Sequence, residues 1–336
     1  MIVELLYNNL NKYYNNVCLT KFNYKLTKVE NIKLIDTHFI PDKIRKYITK
    51  NLVMKYKVVY KIKNKLINLN YYSKNKIDVK ILNILIKRIV FMMTISNTYI
   101  NINIDIYDTP FKKKFDCNDS KICGDLHTHN VNSGLNYSNN IIIFRKEEYK
   151  KLLLHELIHA LDIDNKYETM RDNKKILETF NINSNNLLIN ESYVETWAII
   201  LHVYCRQCEL NKNSFKNFKE NIQKELAHSL IQCAKLLVYY NIDNYNKLYH
   251  SHKNSIYYTD SVNTFSYHII KTINLSNIRN FLKNFKDSKY ILKKTYNYEL
   301  YIKFIIKFSK SISKKVNMII LKYKNKNLNS LTMSSI

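Results

Sequence analysis

The stretch "KLLLHELIHALDID", Lys151 to Asp164, places two histidines four residues apart, with a glutamate directly after the first. Leu154, Leu157, Ile158 and Leu161 recur at i, i+3, i+4 and i+7, the spacing of a helix with one buried stripe. On that helix His155 and His159 sit one turn apart, offset by about 40° and by roughly 6 Å along the axis. Two imidazole nitrogens can then reach one Zn²⁺ at roughly 2.0 to 2.1 Å each. Glu156 flanks the same face, where its carboxylate can take a proton from an attacking water and hand it to a leaving amine. Chance produces such an H-E-x-x-H about once in a hundred chains of this length.

Upstream, "VNSGLNYSNNIIIF" reads as two short strands, Val131 to Ser133 and Ile141 to Phe144, around a Gly/Asn turn. The strand "NNIIIF" is expected to align an extended substrate. The helix is expected to open near Lys146, with Glu147 and Glu148 in its first turn, where the dipole favours acids. A third metal ligand has to come from downstream. A metzincin would continue G-x-x-H, but Asp162 stands at the Gly position and Asn165 at the His position. "NESYVETWA" offers Glu191 and, one turn on, Glu195. Glu191 would complete a His₂Glu set and leave the fourth position open for water. Glu195 would accept the second N–H of a ligand histidine, or itself be the ligand with Glu191 on the surface. Asp162 is either a further acceptor behind the site or a helix-surface aspartate.

His155-Glu156-x-x-His159 followed by Asn190-Glu191-x-x-x-Glu195 resembles the gluzincin branch of zinc metallopeptidases, and is similar to the catalytic domain of anthrax lethal factor and its relatives. The likeness covers roughly residues 140 to 200. It implies a zincin-like core with a small mixed sheet and an active-site helix, one Zn²⁺ on His155, His159 and Glu191, Glu156 as general base, and a protein or peptide substrate. Acyl transfer also needs a donor for the developing oxyanion. With 28 Tyr in the chain, rarity cannot select one. Tyr267 and His268 in "NTFSYHII" are the candidates, against the reading that both are core or surface residues. His127 and His129 form H-x-H in a loop, either a metal contact or a solvated pair.

The composition sets the wider limits. Two Gly among 336 residues exclude Gly-rich phosphate loops. Such a chain favours helices joined by Asn- and Ser-rich loops. Lys and Arg number 54 against 27 Asp and Glu, a net charge of +27. That charge suits nonspecific binding to a polyanion, and a basic surface would favour acidic substrates. The Lys, Asn, Ile and Tyr bias also resembles AT-rich coding, as in large DNA viruses. The rival to an enzyme is a catalytically inactive zincin-like protein or a basic nucleic-acid-binding protein. "MIVELLYNNLNKYY" has no signal-peptide pattern, so an intracellular setting, host cytoplasm or virion, with free thiols is expected for the six cysteines. Cys205 and Cys208 form a lone C-x-x-C inside a predicted helix. No apolar run reaches membrane length.

The fold class expected is α+β, predominantly helical, in three regions. Residues 1–97 read as helical, including a helix opening at Pro41 and Asp42 and a buried one in "ILNILIKRIVFMM". Their role is open: a prodomain, a targeting module or part of one fold. Residues 98–245 would form the catalytic core, with a strand in "YININIDIYDT" whose Ile100, Ile102, Ile104 and Ile106 alternate with polar residues. Residues 246–336 would be mostly helical and pack on that core. There "NTFSYHIIKTI" reads as helix or strand, and "NYELYIKFIIKFSKSISKKVNMIILKYK" as a basic helix, packed or facing a polyanion.

Overall fold

Alternation along "INIDIY" places the centre of the sheet. Ile102, Ile104 and Ile106 are buried on one face of strand β4 (Ile102–Tyr107), with Asn103 and Asp105 on the other. The computed structural model describes residues 1–17, 23–35, 37, 39–114, 126–164, 170–184, 187–260, 262–287, 291–292, 296–323 and 331–335. Within them β4 is flanked by β1 (Tyr24–Lys28), β2 (Met54–Ile62) and β3 (Lys65–Ser73) on one side and by β5 (Gly134–Tyr137) and β6 (Asn140–Ile143) on the other. The order is β1-β2-β3-β4-β6-β5. The β1, β2 and β3 pairings are antiparallel, β4 lies parallel to both β3 and β6, and β5 is antiparallel on the far edge.

Three of these strands fall where helix was expected, between residues 1 and 97, and the pairing of β3 with β4 crosses the boundary drawn at 97. Tyr56, Val58 and Tyr60 on β2, and Ile67, Leu69 and Tyr71 on β3, alternate toward the core. Lysines and asparagines fill the other face, and in a chain so rich in both the period of two is easily missed. The turn between β2 and β3 uses Lys63 and Asn64 at φ 44° and 62°, the mirror-image turn that matches strand twist and normally takes Gly. Asparagine does glycine's work throughout: six of the ten positive-φ residues among those described are Asn, including Asn97, Asn181, Asn211 and Asn241 at helix ends.

Helix covers 55% of the chain and strand 15%, the α+β, predominantly helical class expected. The inner sheet face packs on α1 (Ile2–Asn15), α3 (Lys80–Ser96) and α5 (Tyr149–Ala160) in one large core, to which α7 (Asn190–Glu209) and α8 (Phe215–Tyr239) belong. The short α2 (Asp42–Asn51) covers part of the outer face through Ile44 and Ile48, against Tyr72, Tyr107 and Ile142. A turn of helix, α4 (Thr128–Val131), stands where the first short strand was expected; that strand instead runs from Gly134. Beyond α5, α6 (Met170–Phe180) precedes a two-stranded ladder of β7 (Ile182–Asn183) and β8 (Tyr258–Thr259).

Among the described residues from Phe265 onward helix predominates, and both open readings resolve. "FSYHII" is a π-helical turn leading into α9 (Lys271–Ser276) and then α10 (Ile278–Phe285). The long basic segment breaks into α11 (Tyr298–Phe308) and α12 (Ser313–Tyr323) at a 3₁₀ turn. Val316 and Ile320 are fully buried, so α12 is a packed helix. No helix among the described residues is long and apolar enough to cross a membrane.

Candidate metal centre

Helix α5 opens at Tyr149, three residues later than expected, because Glu148 stands at φ 61° and cannot continue a helix. Glu147 and Glu148 therefore do other work. Glu148 Oε1 accepts the backbone N–H groups of Met333 and Ser334 at 2.7 and 2.8 Å, and Oε2 pairs with Lys113 Nζ at 3.1 Å. Glu147 accepts Lys113 N–H at 2.8 Å. This anchors the start of the helix that bears both histidines.

The two helices α5 and α7 run antiparallel, so residues four apart on each interleave. His155 Nε2 and His159 Nε2 lie 3.2 Å apart, and Glu191 Oε2 is 3.3 and 3.5 Å from them. Three ligands of a tetrahedral ion with bonds of 2.0 to 2.1 Å sit roughly 3.3 to 3.4 Å from one another. The donor triangle thus has the size a zinc-like ion requires, and among the described residues it is the one His/Cys/Asp/Glu group of that kind. Both Nδ1 atoms are engaged from behind. His155 Nδ1 donates to Glu195 Oε2 at 3.0 Å and His159 Nδ1 to Asp164 Oδ2 at 2.7 Å. With Nδ1 protonated, each neutral ring turns an Nε2 lone pair toward the shared point. Two lone pairs and a carboxylate converge here in a buried group that could hold a metal ion.

The electrostatics agree. Burial opposes charge on both imidazoles, but Glu191 and Glu195 raise the pKa of His155, and Glu191 and Asp164 raise that of His159 well above 6.5. Burial also opposes charge on Glu191, yet the two histidines hold it well below the ordinary carboxylate range. Proton and metal compete for the same nitrogens. Apparent metal affinity is therefore expected to be weakest below pH 6.5, where both rings hold protons, and to climb as pH passes through their raised pKa values. Chelator competition between pH 6 and 9 checks this; an affinity independent of pH would contradict it. Burial raises Glu156 above 4.5, and there the neighbouring histidines do not reverse it as they do for Glu191.

These groups open onto one cleft of about 540 Å³. His155, Glu156, His159, Asp164, Glu191 and Tyr267 form its floor. Tyr267 donates to Glu191 Oε2 at 2.9 Å, and burial followed by that carboxylate keeps its hydroxyl protonated. Edge strand β5 forms one wall. Gly134 permits its close approach: a Cβ there would lie 2.9 Å from Leu152 Cδ2 and from Ile142 O, and 3.4 Å from Glu156 Oε1. Ile35, Thr37 and Phe39 also line the cleft, and Arg45 on α2 donates to the carbonyls of Ile35, Thr37 and Ile40.

Several expectations change here. Asp162 is exposed and is not the acceptor behind His159; Asp164 is. Helix α5 ends in a Schellman turn, with Ile163 N–H on Ile158 O, Asp162 N–H on His159 O and Asp162 at φ 59°, and the reversal brings Asp164 back under the histidine. His268 does not join Tyr267. It is fully buried on the other side of the π-helical turn and lines no part of the cleft. Strand β6 lies inside the sheet between β4 and β5, so "NNIIIF" has no free edge; β5 is the strand that borders the cleft. His127 is exposed, and the side chain of His129, with Asn165, Cys18, Cys117 and Cys123, lies outside the described residues. Cys205 and Cys208 are free thiols on α7, and burial pushes Cys205 up to about 12, which disfavours a thiolate ligand.

Asp164 escaped the sequence reading, and Asn190 entered it only as part of the motif that carries the resemblance. Asn190 Nδ2 reaches Asp164 Oδ2 at 3.4 Å, so the residue before Glu191 braces the partner of His159. Comparison with models of known protein families, with curated proteins and with solved structures returned no match. The chemistry therefore rests on this chain's own geometry.

Proposed function

We propose that the protein is a zinc-dependent peptidase of the His₂Glu type. One observation carries the reading: three donor atoms, His155 Nε2, His159 Nε2 and Glu191 Oε2, in a near-equilateral triangle of 3.2 to 3.5 Å edges at the base of an open cleft. Zinc held there supplies Lewis acidity, lowering the pKa of water and polarising a carbonyl. The remaining work falls to side chains. Glu156, buried beside the triangle, takes the proton of the attacking water and returns it to the leaving amine. Tyr267 offers its hydroxyl to the oxygen that becomes negative. Glu195 and Asp164 hold the two rings in their tautomers. Metal analysis tests the reading: the folded protein is expected to hold zinc near one equivalent, and a protein that binds none when supplied would end it.

The cleft also argues for a substrate. Edge strand β5 can pair with an extended peptide through its free backbone groups. Ile35, Phe39, Tyr137 and Leu188 stand around it, each about 40% exposed, and none of its lining residues is Lys or Arg. This replaces the acidic-substrate expectation drawn from net charge with one of apolar residues beside the scissile bond. Cleavage profiling of a peptide library is expected to show that preference, and selection for Asp or Glu would reject it.

A polyanion-binding reading has its own support on the outer sheet face. Lys25 stands directly opposite Lys57, with Lys55 two residues along the same strand face, and neither Lys25 nor Lys57 has an ion-pair partner among the described residues. Like charges in register cost stability unless something anionic covers them. Binding to single-stranded nucleic acid that fades as salt rises supports this reading; an absence of binding at low salt removes it. It concerns a surface remote from the cleft and does not compete with the peptidase assignment.

A further inference from the structure

The stripe that carries the two histidines begins one turn earlier, at Lys151. Positions 151, 155 and 159 of α5 face positions 195 and 191 of α7, and the partners alternate in sign along the seam. Lys151 Nζ contacts both oxygens of Glu195 at 2.7 and 3.0 Å. Glu195 Oε2 meets His155 Nδ1 at 3.0 Å, His155 Nε2 meets Glu191 Oε2, and Glu191 meets His159. Lys151 and Glu195 are each 1% exposed. At that burial bulk solvent reaches neither group, and each relies on the other for its charge. A carboxylate gripped only by His155 could rotate about its last bond. With both oxygens on one buried ammonium, that rotation is blocked, and Oε2 stays where the Nδ1–H of His155 needs it.

We propose that Lys151 is a positioning residue of the metal centre. It touches neither metal nor substrate. It locks Glu195, Glu195 locks the ring of His155, and the ring presents Nε2 to the shared point. The inference rests on the reading of the His155, His159 and Glu191 triangle as a metal site. It assigns to the first residue of the opening motif a role that H-E-x-x-H does not contain.

The test compares the full-length wild type with Lys151→Met, Glu195→Gln and the double variant. Met keeps the stem of the lysine and removes its charge. Zinc affinity is read by chelator competition at fixed pH, the ligand field by the visible absorption of the Co²⁺-loaded protein, and folding by circular dichroism. Lys151→Met is expected to keep its helical content, lose about 10- to 100-fold in zinc affinity, and shift the Co²⁺ bands. Because the effect runs through Glu195, the double variant should bind zinc within twofold of Glu195→Gln alone, and both more weakly than wild type. Wild-type affinity and an unchanged Co²⁺ spectrum in Lys151→Met would overturn the proposal. Should Lys151→Met fail to fold, the double variant, which leaves no carboxylate at position 195 without its lysine, decides: wild-type affinity there overturns it equally. A wild type that takes up neither Zn²⁺ nor Co²⁺ removes the triangle reading itself, and Lys151 with it.

Discussion

Replacing Glu156 by Gln is expected to slow peptide hydrolysis by about 100- to 10,000-fold while leaving zinc content and fold intact. Gln fills the same volume in a site where Glu156 is 6% exposed. It keeps a hydrogen-bonding oxygen but cannot accept and return a proton. The donor triangle does not include Glu156, so metal affinity has no reason to follow activity down. That separation is the useful part of the experiment. Metal content and turnover measured on the same preparation distinguish a base from a ligand, since loss of a ligand would take both. If Glu156→Gln hydrolyses peptides as fast as the wild type, Glu156 is not the base. If the wild type binds zinc and cleaves nothing across a broad peptide library, the inactive-scaffold alternative stands in place of the enzyme.

The second large effect concerns stability. Arg88 on α3 is completely buried, and its guanidinium bonds three groups on two other helices: Glu209 Oε1 at 2.7 Å and His202 Nδ1 at 2.9 Å on α7, and the Lys150 carbonyl at 2.8 Å on α5. Burial disfavours its charge, but Cys205 and the hydrogen-bonded Glu209 outweigh it, and its pKa is raised. Arg88→Met would leave Glu209 nearly buried with only Lys150, 3.6 Å away, as a charged partner. Removing one member of a buried pair typically costs roughly 3 to 5 kcal/mol. A fall of that size in unfolding free energy, measured by denaturant at unchanged m-value, is expected. The double variant Arg88→Met/Glu209→Gln should recover part of it, because the orphaned charge is then gone. A single-variant loss below about 1 kcal/mol would show that the pair is solvated and that α3 and α7 are held together by apolar packing alone.

Both predictions start from residues of different legibility. Glu156 was legible from the order of letters in H-E-x-x-H. Arg88 was visible only as an interruption in an apolar run. That interruption argued correctly against a membrane span, but no local pattern pointed to Glu209, 121 positions away. The same contrast runs through the fold. "YININIDIYDT" declared itself as a strand because Ile and polar residues alternate cleanly. "MKYKVVYKI" and "KLINLNYYS" alternate as regularly, but with Tyr in the core and Lys or Asn outside, residues this chain uses everywhere. The amphipathic signal is strongest where the polar and apolar letters are rare enough to be informative.

What the sequence determined by itself was everything set by helical or strand period over a few residues. It placed His155 and His159 on one stripe, Glu191 and Glu195 on another, the core side of β4, and excluded a third histidine ligand from "HALDIDN". A 3.6-residue turn is a local property, and four-residue spacing needs no knowledge of the rest of the chain. The tertiary structure decided which stripes meet. Antiparallel packing of α5 on α7 brings Lys151, Glu195, His155, Glu191 and His159 into one alternating seam. The left-handed turn at Asp162 makes Asp164 the partner of His159, and one step along a π-helical turn sends Tyr267 into the cleft and His268 away from it. Those outcomes depend on contacts between residues as much as 112 positions apart, such as His155 and Tyr267. They are set by which buried faces fit together, a property of the whole core that no local spacing records.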